Sequence, residues 1–430
     1  MRSFRIGSAF GIPIKLDLTF LLVLPLFAYV IGSETTFWVD QIGRLTGETI
    51  ELGRLGEGLA PYALGLVAAL GLFASVLLHE LGHSLVAMRY GFPIASITLW
   101  IFGGIAQFSE MPEDWKRELA IALAGPVVSV ALGILFWIAL FVLPPASAGG
   151  AAVGAALFVV GYLAVANVAL AAFNLLPAFP MDGGRVLRAL LSRNRPYARA
   201  TKLAAEVGKG FAILIGLVGL FGGFNIFLVG IAFFIYIGAA SEAQQTSIKA
   251  AFEGVTVRDI MTPAEQVSTV PADASVSELL ETMFRERHTG YPVVANGEVV
   301  GLVTLEDAES VREVERDAYT VEEIMSTELI TVGPEADAME ALSRLQSSGI
   351  GRLLVMDTAS DPAERDLTSE SGELVGLVTR TDIMTALNII RSSGSASPLT
   401  GQDPGGPGTP PDPGTGSEDA DSSNRSWDTR

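Results

Sequence analysis

The sequence predicts a polytopic α-helical membrane protein joined to a soluble α/β module. The first observation behind this fold class is hydropathy: 50% of the 430 residues are hydrophobic and the mean hydropathy is +0.44, yet the formal net charge is −19. The second is charge placement, because residues 1–240 carry a net +2, residues 241–390 a net −18 and residues 391–430 a net −3. The acidic half argues against nucleic-acid binding, since phosphate neutralisation needs clustered Lys and Arg. The absence of cysteine excludes disulfides, thiolate metal sites and cysteine nucleophiles.

Six apolar segments of the first half are candidates for membrane spans. A helix needs about 20 apolar residues to cross the hydrocarbon core. No small-residue cleavage site follows the first segment, so we expect a retained helix there and not a signal peptide. The predicted spans are residues 14–32, 62–86, 119–143, 152–176, 205–221 and 225–240.

The basic residues of the connecting segments predict the orientation. Segment 185–209 carries seven Lys and Arg residues against Glu206 alone, whereas segment 33–61 carries two Arg against five acidic residues. We therefore place 185–209 in the cytoplasm. With six crossings, the N-terminus and residues 241–430 are cytoplasmic too, on a multi-pass protein of the cell membrane.

Residues 91–110 are apolar but interrupted by glycine and proline, and they are rich in β-branched and aromatic side chains. This composition is typical of strands and turns. We predict a short β hairpin over 97–108 at the membrane edge, with a plain re-entrant loop as the alternative.

The chemistry of the sequence is concentrated at residues 79–83, HELGH, which hold two of the three histidines. On a helix, positions i and i+4 share one face, so His79 and His83 can reach one metal ion, with Glu80 beside them to activate water. Ionisable groups inside a membrane helix are expensive and tend to be functional. The alternative is a chance motif whose histidines are only packed.

A catalytic zinc ion usually takes three protein ligands and leaves a fourth position open. Without cysteine, and with His288 in the acidic half, the third ligand should be a carboxylate near the membrane. Asp182 lies just after the fourth span, where two prolines disfavour a helix. Its alternative role is a turn or cap residue before Gly-Gly. Other carboxylates stand in one cytoplasmic segment: Glu110, Glu113, Asp114 and Glu118.

HELGH in an early membrane helix, followed by NLLPAFPMDGG at 174–184, resembles the site-2 protease family of intramembrane zinc metalloproteases. The segments GIPIKLDLTFLL, ITLWIFGGIAQF and ALAGPVVS also resemble that family, and the likeness covers about residues 1–240. It implies that His79, His83 and Asp182 bind one zinc ion and that Glu80 is the general base and acid. It also implies that Asn174 holds the substrate backbone or the oxyanion. Asn167 can assist Asn174 or make an interhelical hydrogen bond.

The acidic half contains an internal repeat. RDIMTP at 258–263 returns as EEIMST at 322–327, and VGLVTLED at 300–307 returns as VGLVTRTD at 375–382, after a polar insertion around 357–372. The pattern resembles a tandem pair of cystathionine-β-synthase (CBS) domains. That family often binds adenine nucleotides, and the matching contact positions are Thr304, Asp307, Thr379 and Asp382.

The CBS positions have a structural alternative, because each Asp can simply cap the helix that follows it. Arg352 and Arg380 are candidates to meet a nucleotide phosphate. A homodimer through the CBS modules is expected.

We therefore divide the chain into a membrane metalloprotease domain (1–240), a linker (241–254), a CBS pair (255–312 and 320–390) and a disordered Gly/Pro/Ser tail (391–430). The function expected is zinc-dependent hydrolysis of peptide bonds within or near the transmembrane segments of membrane-anchored proteins, regulated by the CBS pair. The alternatives are a CBS-gated transporter or channel, which leaves HELGH unexplained, and a non-proteolytic metal-binding descendant of the protease.

Overall fold

The computed structural model describes residues 3–47, 50, 52–101, 103–108, 112–357 and 373–393. The chain divides into two compact units, Met1–Ala250 and Ala251–Arg430. We call them the first and the second unit and describe each by itself.

The first unit is built mainly from helices long and apolar enough to cross a membrane. Within the described residues, five helices pass that test, and a sixth span results if the first two helices, which are bent by 66° where they meet, count as one. This agrees with the predicted number of about six. The helices are α1 (Phe20–Ser33), α2 (Thr35–Thr46), α3 (Ala60–Arg89), α4 (Trp115–Val142), α5 (Ala146–Asn174), α6 (Asp182–Ser192), α7 (Tyr197–Phe221) and α8 (Ile226–Ala251).

Small residues let these helices approach closely, as is usual in membranes. A Cβ atom on Gly65 of α3 would overlap the backbone carbonyl of Ala28 on α1. A Cβ atom on Gly133 of α4 would lie 3.1 Å from Val168 on α5. Glycine at these positions therefore sets the spacing of α3 from α1 and of α4 from α5.

A four-stranded sheet accompanies the helices. Its strands are β1 (Ser3–Ala9), β2 (Ile12–Asp17), β3 (Ile94–Trp100) and β4 (Gly103–Phe108), in the order β1-β2-β3-β4. The antiparallel pair β3–β4 confirms the hairpin predicted over 97–108, and β2 runs parallel to β3. Strand β4 lies at the edge of this sheet.

The prediction that the first span begins at residue 14 is wrong, because residues 12–17 form β2 and the helix begins only at Phe20. Asp17 ends the strand and accepts hydrogen bonds at Oδ1 from both the backbone N–H and the hydroxyl of Thr19. These bonds hold the chain in a turn that separates the strand from the helix.

The second unit is α/β and shows the predicted repeat. The helices are α9 (Val257–Ile260), α10 (Val276–Glu286), α11 (Leu305–Glu309), α12 (Val321–Ile324), α13 (Ala338–Ser347) and α14 (Arg380–Ser393). The strands are β5 (Thr262–Pro263), β6 (Val270–Pro271), β7 (Gly290–Ala295), β8 (Glu298–Thr304), β9 (Thr331–Val332), β10 (Arg352–Asp357) and β11 (Glu373–Thr379). One sheet has the order β6-β7-β8 and the other β5-β11-β10-β9.

The two repeats exchange their first segments. Strand β5 of the first repeat pairs with β11 of the second, and Ser326 of the second repeat bridges to Leu302 on β8 of the first. The repeats are thus interlocked as a pseudo-symmetric pair. The insertion at 358–372 and residues 394–430 of the predicted tail lie outside the described residues, whereas 391–393 complete α14.

Residues 241–254, predicted as a linker, are helical as far as Ala251 because α8 continues through them. The segment SEAQQTSIKAA is rich in Ala, Glu, Gln and Lys, all good helix formers. The helix that ends the first unit therefore runs without a break to the residue at which the second unit begins.

Candidate metal centre

His79 and His83 lie on one face of α3, as their spacing predicts. Both side chains are buried, with 2% and 3% of their surface exposed, and their Nε2 atoms are 3.2 Å apart. Two imidazole nitrogens so close inside an apolar helix bundle need a shared partner, because unpaired buried polar groups cost free energy.

That partner is Asp182, the first residue of α6. Its Oδ2 lies 3.2 Å from Nε2 of His79 and 3.1 Å from Nε2 of His83. The short segment between α5 and α6 turns tightly enough to present the carboxylate, and a Cβ atom on Gly183 would overlap the carbonyls of Leu175 and Leu176. The Gly-Gly pair after Asp182 is therefore required by a close backbone approach.

The three donor atoms fit a zinc ion. Zinc bonds to His nitrogen and carboxylate oxygen are about 2.0–2.1 Å long, so neighbouring donors of a tetrahedral site are roughly 3.4 Å apart. The observed distances between the two Nε2 atoms and Oδ2 of Asp182, 3.1–3.2 Å, are close to that value. Among the described residues this is the one cluster of three His or acidic side chains with metal-binding spacing.

Gly125 on α4 leaves room beside the donors. A Cβ atom there would lie 2.6 Å from Nε2 of His79 and closer still to Nε2 of His83. The helix α4 thus brings a bare backbone face to the place where an ion would sit.

Hydrogen bonds behind the two imidazoles fix their orientation. Nδ1 of His83 donates to the backbone carbonyl of Ile121 at 2.7 Å, and Nδ1 of His79 lies 2.8 Å from Oγ of the buried Ser129. With Nδ1 protonated, each Nε2 has its lone pair free for the ion, which is the usual arrangement around metal-bound histidine.

Glu80 follows His79 on α3 and is half-buried. A Cβ atom on Gly104 of β4 would lie 2.5 Å from Cγ of Glu80, so the edge strand packs directly on this carboxylate. Three of the other carboxylates considered for the site are engaged elsewhere. Asp114 caps α4, Glu118 pairs with Arg188, Glu113 pairs with Lys249, and Glu110 lies outside the described residues.

Comparison with known proteins identifies the chain. The model of peptidase family M50 matches residues 67–151 and 146–215, and the CBS-domain model matches residues 257–311 and 321–389. The zinc metalloprotease MJ0392 of Methanocaldococcus jannaschii is 32% identical over 394 residues, which is 90% of this chain and 97% of that protein. The chain belongs to peptidase family M50. It is a site-2 type zinc metalloprotease that also carries CBS domains, and its helices make it a multi-pass membrane protein.

Two further relatives are similar to this M50 member. Rip3 of Mycobacterium tuberculosis (strain H37Rv) is 33% identical over 343 residues, covering 77% of this chain and 82% of Rip3. The solved structure of a site-2 protease from Methanocaldococcus jannaschii is 34% identical, with a TM-score of 0.38, covering 56% of this chain and 95% of that one.

Asn174 stands at the end of α5, and its Nδ2 donates to the carbonyl of Leu170 on the same helix. The amide is thus engaged with its own backbone, and a role toward substrate requires it to turn. Asn167 is fully buried and donates to Oγ of Ser75 on α3 at 3.1 Å and to the carbonyl of Leu163. The interhelical hydrogen bond considered for Asn167 is therefore present. Its partner, Ser75, lies one helical turn before His79 on α3.

The CBS positions named by the sequence form helix caps. The Thr304 hydroxyl donates to Oδ2 of Asp307 at 2.7 Å, and the Thr379 hydroxyl donates to Oδ2 of Asp382 at 2.8 Å. Each pair forms a reciprocal hydrogen-bonded box at the start of a helix. The structural alternative for these residues is thus realised.

Thr304 and Asp307 also line a cavity together with Arg352 of the second repeat. Nη2 of Arg352 donates to the Thr289 hydroxyl at 3.0 Å, while its Nη1 is buried with no hydrogen-bond partner among the described residues. Burial lowers the pKa of this guanidinium. Arg380, the other cationic candidate, donates to the carbonyl of Leu345.

Sequence reasoning missed the residues that shape the site from α4. Gly125 and Ser129 fall inside ALAGPVVS, which carried the family likeness but no assigned role. Their function depends on α4 crossing α3, and sequence spacing holds no information on that crossing.

We expect Ser129→Ala to weaken zinc binding by about 10- to 100-fold, the usual cost of losing a partner behind a metal-bound histidine. The control is Ser84→Ala on α3, because the buried Ser84 hydroxyl has no hydrogen-bond partner among the described residues. Titration with a zinc-chelating dye measures both affinities. Equal affinities in the two variants would show that Ser129 does not hold His79.

Proposed function

We propose that this M50 member is an intramembrane zinc endopeptidase. It cleaves peptide bonds within or near the transmembrane segments of membrane-anchored proteins. The observation that carries the proposal is the convergence of His79, His83 and Asp182 on one buried point, beside Glu80 and between apolar helices. These three side chains would hold a zinc ion, which would supply Lewis-acid polarisation of the scissile carbonyl and of the attacking water.

Glu80 is the general base and general acid in this proposal. Its carboxylate takes a proton from the attacking water and later delivers it to the departing amine. Contact with Gly104 on β4 holds the side chain against the edge of the sheet. Asn174 turns its amide from Leu170 to the substrate backbone or the oxyanion.

A transmembrane substrate hides its carbonyls in helical hydrogen bonds, so it must be unwound locally before attack. The edge strand β4 offers a place for the unwound segment, because it pairs on one side with β3 and packs on Glu80 through Gly104. Strand addition along β4 would supply new backbone partners next to the general base.

The orientation proposed from the charges of 185–209 puts the cytoplasm on the side where α6 begins. The two spans α7 and α8 then return the chain to the cytoplasmic side before the second unit. The N-terminus is cytoplasmic as well if the bent pair α1–α2 counts as one span.

The test is cleavage of a model single-span substrate by the full chain reconstituted in vesicles. We expect cleavage to stop when zinc is removed with 1,10-phenanthroline and to return when zinc is added, since family membership implies zinc. Zinc bound without cleavage of any of several single-span substrates would favour the non-proteolytic descendant. A wild-type chain that holds no zinc would contradict the proposal.

We also propose that the CBS pair binds an adenine nucleotide at the cavity of Thr304, Asp307 and Arg352. The supporting observation is the unpartnered Nη1 of Arg352, a buried cationic donor that a phosphate oxygen would satisfy. Gly290 occupies the equivalent position of the first repeat, because it pairs with Thr304 as Arg352 pairs with Thr379, so only the second repeat carries a cation at this point.

We expect Arg352→Met to weaken ATP binding by about tenfold or more, because hydrogen bonds to charged groups are the strong ones. Isothermal titration of the full chain with ATP measures this. The control is Arg258→Met, which removes an exposed cation paired with Glu335 and should leave the affinity unchanged. Absence of ATP binding by the wild type, or equal binding by Arg352→Met, would contradict the nucleotide site.

A further inference from the structure

Arg188 is a buried charge that the proposed chemistry does not use. It lies on α6, the helix that Asp182 begins, and 1% of its surface is exposed. Its Nε donates to Oε1 of Glu118 on α4 at 2.6 Å, and its Nη1 donates to Oε1 of Glu242 on α8 at 2.5 Å. A buried guanidinium with two carboxylate partners fixes the relative positions of three helices, because each lost partner leaves a charge uncompensated.

Aromatic rings complete the surroundings of Arg188. Its Cζ lies 5.0 Å from the ring centre of Phe179 and 4.8 Å from that of Tyr197. Both distances are within the range of cation–π attraction. Phe179 stands three residues before Asp182, so Arg188 contacts the segment that leads into the carboxylate ligand.

Helix α8 contacts the same segment at successive points of one face. Ala239 packs with Phe179, and a Cβ atom on Gly238 would lie 2.6 Å from Cδ of Pro180. Glu242, one turn further along, reaches Arg188. Positions 238, 239 and 242 share a helix face, so any shift of α8 changes its fit to residues 178–188.

We propose that Arg188 is a positioning residue for Asp182, and that α8 controls the Asp182 segment through Glu242 and Gly238. Because α8 ends at Ala251, where the second unit begins, this face of α8 is also the route by which the CBS pair regulates the metal centre. The inference rests on the proposed role of Asp182 as a metal ligand, and its regulatory half rests also on the proposed binding of an adenine nucleotide by the CBS pair.

Two variants of the full chain test the contact. Glu242→Gln removes the charge that holds Arg188, and Gly238→Ala places a methyl group against Pro180. Their matched controls are Glu206→Gln, at an exposed carboxylate paired with Lys209, and Gly230→Ala, at a glycine of α8 with open space around it. In all four variants we measure the hydrogen exchange of residues 178–188 and the zinc affinity. We also record the absorption spectrum of the cobalt-loaded chain and determine kcat and KM.

In Glu242→Gln and Gly238→Ala we expect faster hydrogen exchange over residues 178–188 and an altered spectrum of the cobalt-loaded chain. We expect the zinc affinity to fall by about 10- to 100-fold, as it does when other residues that support a metal ligand are lost. We also expect a lower kcat with an unchanged KM, because no substrate contact is removed. Wild-type values in Glu242→Gln and Gly238→Ala, or equal changes in the controls, would overturn the positioning role. The exchange measurement needs neither metal nor substrate. It therefore tests whether α8 holds the segment 178–188 even if the wild type binds no metal and the proposed function fails.

The regulatory half is tested by adding ATP to the same chains. We expect ATP to change the exchange of residues 178–188 in the wild type and to have no effect on it in Glu242→Gln. Titration first establishes that the wild type binds ATP. An ATP effect of equal size in Glu242→Gln, or none in a wild type that binds ATP, would then overturn the route through α8.

Discussion

Glu80→Gln is expected to abolish cleavage while leaving zinc in place. Glutamine has the shape of glutamate but cannot accept the proton of the attacking water, and loss of a general base typically costs about 10²–10⁴ in rate. Glu80 donates none of the three converging ligand atoms, so the metal content should equal that of the wild type. The measurement is the cleavage rate of a single-span substrate in vesicles, with zinc counted in the same preparation.

The control for this variant is Glu113→Gln, which neutralises an exposed carboxylate paired with Lys249. We expect its cleavage rate to match the wild type. A Glu80→Gln chain that cleaves within a few-fold of the wild-type rate would remove Glu80 from the mechanism.

Gly125→Ala is expected to eliminate metal binding and activity together. The added methyl group would lie 2.6 Å from Nε2 of His79 and nearer to Nε2 of His83, in the space that the ion needs. The methyl group is attached directly to the backbone of α4, so no side-chain rotation can move it away from the two imidazoles. The control is Gly210→Ala on α7, where no heavy atom lies within 4 Å of the new Cβ.

Alanine is the better helix former, so Gly210→Ala should keep or raise the thermal stability. Zinc content, cleavage and thermal unfolding are compared between the two variants. Full zinc occupancy in a folded Gly125→Ala chain would show that the ion does not sit beside α4.

The sequence was informative wherever the relevant relation is local. The i, i+4 spacing of His79 and His83 predicts one face of a helix, and α3 confirms that both imidazoles meet. Asp182 could be chosen because an apolar half offers few carboxylates, and its Oδ2 lies within 3.2 Å of Nε2 of both histidines. Its role as a metal ligand stays a prediction.

Contacts between segments far apart in the chain could not be predicted from the sequence. Ser129 and Gly125 act on the histidines only because α4 crosses α3, and the bond between Arg188 and Glu242 joins α6 to α8. Residue types that suit these contacts occur at many other positions of the chain. The three-dimensional arrangement of the helices selects among them.

The start of the first span shows a different limit. Hydropathy averaged over residues 14–32 cannot separate a strand from the helix that follows, since both are apolar. Residues 12–17, IPIKLD, are buried mainly at alternate positions, as expected of a strand with one face against the core. One partner of this strand, β3, lies more than seventy residues later, and no local pattern reveals that pairing, whereas the other partner, β1, directly precedes β2 in the chain.

The most direct test of the central claim is the zinc content of the purified full chain, measured by mass spectrometry in the wild type, His79→Ala and Asp182→Ala. We predict about one zinc ion per chain in the wild type, the number of ions that one three-ligand site holds, and strongly reduced zinc in both variants. Hydrogen exchange on the same samples shows that the helices remain folded. Full zinc occupancy in Asp182→Ala, or no zinc in a folded wild-type chain, would contradict the site.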